Sequence, residues 1–307
     1  MSPLASAVLM IRPAAFGYNA ETAASNRFQR DAGGPAGAAA AAARREFDGL
    51  AAALRSEGVA TCIIEDSCPP ARPDAVFPNN WVSFHEDGCV VLYPMQAPSR
   101  RLERRDDVVP RVAAQLGFTV RRLVDLTHHD RHGRFLEGTG SLVLDRAARR
   151  AFACRSPRTD AGVAAEWARE LGYELVLFDA RAPDHTNVVL WIGARCAGVY
   201  AEGIAPGDRA RVLAALGEGG REVIALDAAA VAGFAGNMLE LGTWDEALGD
   251  AAVLVMSARA HAALDAPTRA RLRGCTDQLL AVPVPTIETL GGGSVRCMLA
   301  EVPAVRA

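Results

Sequence analysis

The chain has 307 residues, half of them hydrophobic, and a formal net charge of −3 with acidic and basic residues interspersed. That apolar content builds a sizeable core, and the lack of a basic stripe or polybasic arm excludes nucleic acid and membrane as partners, which leaves a small molecule. All 33 basic residues are Arg, so Schiff-base, pyridoxal-phosphate and Walker-lysine chemistry is excluded as well.

The opening MSPLASAVLMIRP lacks the charged start and long apolar centre of a secretory signal. No apolar run approaches the roughly 20 residues of a membrane helix, so a cytoplasmic protein is expected. Residues 12–29, RPAAFGYNAETAASNRFQ, are small and polar. They read either as a lid, with Asn19 touching the substrate, or as an irregular surface connection. Residues 35–58 form a predicted helix ending at Gly58, and VATCIIED follows as a strand. The same helix-then-strand order recurs at 101–117 into FTVRRLVDLT, with Pro110 delaying the helix start, and at 159–172 into YELVLFDA. It recurs again at 205–220 into REVIALDA and at 257–274 into QLLAVPVP.

A second regularity is superposed on the first. Polar or glycine-rich turns feed apolar strands at DAVFPNNWVSF (74–84), LEGTGSLVLD (136–145), DHTNVVLWIG (184–193), AGNMLELG (235–242) and GGGSVRCMLAE (291–301). The interval of roughly 50 to 60 residues marks a repeated supersecondary unit. Five units predict one cyclic α/β domain over residues 1–307, since no linker or charge block divides the chain.

Seven cysteines without a C-x-x-C pair make neither a disulfide framework nor a zinc ribbon. Within THHDRHG (127–133) three histidines crowd one polar loop, but no distant ligand is evident, so the loop is expected to be solvated. Of the remaining histidines, His185 stands in the turn before its strand where Cys297 stands before its own. Glu137 holds that place in a third unit, and Asp74, Asn79 and Asn80 in a fourth. Arranged about an axis, equivalent turns converge on one mouth, and a cysteine nucleophile, a histidine and carboxylates would meet there.

These segments resemble the amidinotransferase and guanidine-modifying superfamily, the pentein or five-bladed α/β propeller. GGGSVRCM is similar to the catalytic loop of arginine deiminases, LEGTG to their Glu-Gly-Gly loop and HTN to their His-x-Asp turn. PDAVFPNN and APSRR resemble segments of dimethylargininases, while MIRP, FPNNW and HTN are most similar to the citrulline utilization hydrolases. The resemblance implies Cys297 as nucleophile, His185 as general acid and base, and Glu137 against the head-group nitrogens. It further implies Asp74 at the substrate α-amino group and Arg100, or Arg101 in its place, with Arg158 at the α-carboxylate. Bidentate Arg suits that last role.

Two departures bear on substrate. Arginine deiminases carry Asp where this chain has Asn80 and Asn187, and a desolvated guanidinium needs carboxylate partners. An amide is neutral and also donates, which suits a ureido group. The expected reaction is hydrolysis of L-citrulline to ornithine, CO2 and ammonia through an S-carbamoyl enzyme, without metal or organic cofactor. The alternatives are an arginine deiminase or dimethylargininase acting on a guanidino group, and less so an amidinotransferase. A non-catalytic ribosome anti-association factor of the same fold is disfavoured by the full Cys, His and Glu set. A homo-oligomer is compatible with this reading.

Overall fold

The computed structural model describes residues 4–33, 37–181, 185–245 and 249–304. The first two positions of the predicted helix 35–58, and Asp184 before His185, lie outside them.

Among the described residues, fifteen strands form five three-stranded sheets. The first joins β15 (Ala300–Val302), β1 (Ala7–Arg12) and β2 (Ala60–Glu65), and the second β3 (Val82–Phe84), β4 (Cys89–Leu92) and β5 (Arg122–Asp125). The third comprises β6 (Leu142–Asp145), β7 (Arg150–Cys154) and β8 (Glu174–Phe178), and the fourth β9 (Leu190–Ile192), β10 (Cys196–Val199) and β11 (Glu222–Ala225). The fifth holds β12 (Leu239–Asp245), β13 (Gly249–Ser257) and β14 (Gln278–Val282). In each, an antiparallel pair is followed by a third strand parallel to the middle one. Parallel neighbours need a long crossover, and a helix supplies it every time. This is the pentein fold that the family resemblance implied, with one sheet for each of the five recurring units, and the innermost strands start at 82, 142, 190, 239 and 300.

The crossover helices bury one face each. Ala38–Ser56 turns Ala43, Phe47, Leu50, Ala51 and Leu54 inward, a 3, 4, 7 spacing that makes one stripe. Each fully buried Phe or Leu there stabilises by about 1.5–3 kcal/mol. The helix stops because Gly58 takes φ 82, and Val59 N–H then closes back on Leu54 O at 3.0 Å. The predicted helix 257–274 is in fact two, Ala258–Ala263 and Ala266–Cys275. Asp265 accepts from Thr268 N–H and caps the second, with Pro267 in its first turn, so a start signal cuts the apolar periodicity. Likewise the helix expected over 101–117 begins only at Val108, which leaves Pro110 harmlessly in the first turn. Among the described residues no helix is long and apolar enough to cross a membrane.

Candidate active site

The five inner strands are entered by short turns: Pro78–Asn80 before β3, Gly138–Ser141 before β6, Thr186–Val188 before β9, residues 234–238 before β12, and Val295–Met298 before β15. Apolar β-rich residues follow each turn and anchor it, so the polar turn residues are presented at one end of the sheets. A narrow cleft opens there, bordered by Asp74, Asn80, Arg100, Arg158, His185 and Cys297.

Cys297 is buried, and three glycines shape its surroundings. A Cβ on Gly291 or Gly293 would come within 2.8 Å of the Phe77 ring, and Gly292 takes φ 63 against Asn26. The glycines therefore let the backbone pass flat against Phe77 and set the thiol at the cleft wall. Two amides reach the sulfur: Asn237 Nδ2 lies 3.3 Å from Sγ and Asn187 Nδ2 3.6 Å. Asn237 also donates to Asn187 O at 3.0 Å, which fixes the pair.

His185 Nε2 lies 2.8 Å from Glu137 Oε2, and Glu137 Oε1 accepts Gln96 N–H at 3.1 Å. Burial pushes the Glu137 carboxyl up, but Arg158, His185 and Arg100 outweigh it and hold the group down at about 2. It is thus an anion behind His185. Gly140 keeps open the space between His185 Nδ1 and Asn80 Nδ2, which a Cβ there would meet at 2.8 and 2.5 Å.

At the other end of the cleft, Asp74 Oδ2 accepts Asn19 Nδ2 at 2.7 Å and Thr22 Oγ1 at 3.3 Å. Its Oδ1 is buried without a partner among the described residues, and burial raises the carboxyl above its ordinary range despite nearby Arg100. Arg158 donates to Thr22 O and Ser25 Oγ while Nη1 stands 3.8 Å from Glu137.

Several expected contacts fall elsewhere. Arg100 is not a free carboxylate clamp: it forks onto both oxygens of Glu103 at 2.9 Å and donates to Asn80 Oδ1 and Phe77 O, so little of its donor capacity reaches the cleft. Arg101 turns to Met95 O and Gln96 O outside the cleft. Asn19 caps the short helix Ala20–Ala23 and orients Asp74 instead of lining the cleft, because Glu21 N–H takes its Oδ1. Asn79 donates to Thr139 within the wall, and Asn187 stands behind the thiol, facing a second cavity with Arg296 and Glu301. Within the segment 12–29, residues 20–29 form a wall of the cleft, tied by Thr22 to Asp74 and by Asn26 to Gly291 O and Gly292 O. Asn237 escaped attention although AGNMLELG was one of the five recurring units, since only its placement, not its type, marked it. In the 127–133 loop, His129 finds a distant partner after all, Glu166 at 2.9 Å.

Residues 12–304 match the family model for N,N dimethylarginine dimethylhydrolase, eukaryotic. The chain belongs to that family. This places it in the guanidine-modifying superfamily. Motif likeness within the superfamily pointed first to the citrulline hydrolases, whereas the matching model is that of the dimethylarginine dimethylhydrolases. No curated protein matches the chain. Among solved structures, apo ArgZ, an arginine dihydrolase from the ornithine-ammonia cycle in Cyanobacteria, is 15% identical with a TM-score of 0.74 over 97% of this chain and 40% of its own. AgrE with ornithine and NAD+ is 18% identical, TM-score 0.75, over 98% and 40% respectively. A dimethylarginine dimethylaminohydrolase adduct with 4-chloro-2-hydroxymethylpyridine is 15% identical, TM-score 0.64, over 97% and 100%. Such identities show the shared fold, and the chain spans about 40% of the length of the ArgZ and AgrE chains.

Proposed function

We propose that the protein hydrolyses a C–N bond at the guanidino carbon of an arginine-like amino acid by covalent catalysis through Cys297. The observation that carries this reading is the meeting, in one cleft, of Cys297 and His185 backed by ionised Glu137, with Asp74 and Arg158 at the far end. The orphaned Asp74 Oδ1 is the acceptor for an α-ammonium, and Arg158 is the cation for the α-carboxylate. The family membership supports a guanidino head group.

In this mechanism the Cys297 thiolate attacks the planar carbon. His185, its imidazolium supported by Glu137, protonates the departing nitrogen as the C–N bond breaks. His185 then takes a proton from water, which attacks the thio-linked carbon and restores the thiol. Loss of the terminal nitrogen gives ammonia or an alkylamine and leaves a ureido product.

A second reading, hydrolysis of L-citrulline itself to ornithine, CO2 and ammonia, is supported by Asn80. Its Oδ1 is taken by Arg100 at 2.8 Å, which leaves the buried Nδ2 without a partner among the described residues at the cleft. That atom only donates, and a ureido oxygen accepts where a guanidinium does not. Separate incubation of the protein with L-arginine, N-methylated arginines and L-citrulline, following citrulline, ornithine and amines, tests both. Citrulline formed from a guanidino substrate is the expected result, ornithine formed from citrulline supports the second reading, and turnover of none of them by folded protein refutes both. Cys297→Ala is expected to keep the fold and abolish every turnover.

A further inference from the structure

We propose that His128, His129 and Glu166 form a site for a zinc-class divalent cation, outside the cleft. The two histidines are consecutive on the short 3₁₀ turn Thr127–His132, and Glu166 comes from the packed helix Ala161–Leu171. One ligand atom from each lies within 4.8 Å of the other two. The imidazoles face together, with ring centroids 4.1 Å apart.

Hydrogen bonding on the His128 ring fits ligation. His128 Nδ1 lies 3.3 Å from Asp125 O. A carbonyl only accepts, so Nδ1 carries the hydrogen and the neutral ring keeps its lone pair on Nε2. A ligand histidine anchored through its other nitrogen to a carbonyl is the usual supporting arrangement. His129 is buried, and its Nδ1 has no partner among the described residues. Its Nε2 stands 2.9 Å from Glu166 Oε2. Two ligands about 2.0–2.1 Å from one tetrahedral ion sit roughly 3.3 Å apart, so a small shift lets a cation replace the hydrogen between them. A plain His–Glu hydrogen bond requires only residues 129 and 166. It gives no role to His128, which is exposed yet held in place.

Two imidazoles and one carboxylate are a borderline donor set that takes zinc in preference to calcium or magnesium, with a fourth position left to water. The ion would staple the turn to the helix. The next residue, Asp130, accepts Met95 N–H at 2.9 Å and Arg104 at 2.7 Å, and neighbouring Gln96 N–H bonds Glu137. The site therefore steadies the loop behind Glu137 without touching substrate.

The test uses the full chain, stripped with a chelator and dialysed against Zn2+ or Co2+. Wild type should take up one equivalent more than His128→Ala, an exposed position whose change leaves the fold intact, and more than Glu166→Gln. Zn2+ should raise the Tm of wild type and leave that of both variants unmoved. Bound Co2+ should show visible ligand-field bands without the near-ultraviolet charge transfer of a thiolate. Equal uptake by wild type and His128→Ala, or thiolate charge transfer alone, would overturn the proposal and place any bound ion at a cysteine.

Discussion

Replacing Glu137 by Gln changes one atom and removes one charge. The carboxyl is held down from 4.5 to about 2, and at about 1.4 kcal/mol per unit its surroundings favour the anion by about 3 kcal/mol. Glu137 is 1% exposed, so solvent screening takes little from that figure. Geometry adds a second penalty: Oε1 accepts Gln96 N–H at 3.1 Å and Oε2 faces His185 Nε2 at 2.8 Å, so the new NH2 must confront one of them. Arg158 and Arg100 also lose a counter-charge 3.8 and 3.9 Å away. We expect Glu137→Gln to lower kcat by about 10²–10⁴-fold, because His185 loses the support of its protonated form. Thermal unfolding should show a Tm lower by about 5–10 °C near neutrality. Since the native carboxyl sits below its unfolded value, its stabilisation is complete above about pH 4.5 and is lost as the pH falls towards about 2; the two proteins should converge across that window. A kcat within about threefold of wild type together with a Tm gap that persists into acid would refute the reasoning.

Gly140→Ala places a methyl 2.5 Å from Asn80 Nδ2 and 2.8 Å from His185 Nδ1, so activity should vanish while circular dichroism is retained; an active variant would show that the cleft has slack there. Arg158→Ala should raise KM for the amino acid by about 10²-fold, whereas Arg100→Lys, which strips a buried fork from Glu103, should chiefly destabilise the protein by about 3–5 kcal/mol in denaturant unfolding. Asn237→Ala should lower kcat by about tenfold or more with KM little changed, read by steady-state kinetics, because a donor to the Cys297 sulfur is lost.

The propeller was legible because each unit repeats one local grammar, a polar turn, an apolar strand, a helix and a second strand, and local grammar survives in linear order. Cys297, His185 and Glu137 were legible for the same reason: each stands at the same point of its unit. Arg100 was not, because its engagement depends on Glu103, three positions along, whose carboxylates reach it only once the turn Pro98–Arg101 is formed. Nor was the partner of His129, since Glu166 is 37 positions away on a different element. Sequence spacing reveals what a turn presents; which donors are then taken up internally is decided by packing.

The pairing of β15 with β1 carries a consequence in time. Leu9 and Ala300 face each other across roughly 290 positions, and closing so long a loop costs about 5 kcal/mol of chain entropy. The turn holding Cys297 leads directly into β15, the strand that leaves the ribosome after the other fourteen. Once those fourteen strands are made the nascent protein holds its histidine and both arginines but not yet Cys297, and the thiol takes its place at the cleft wall as β15 pairs with β1.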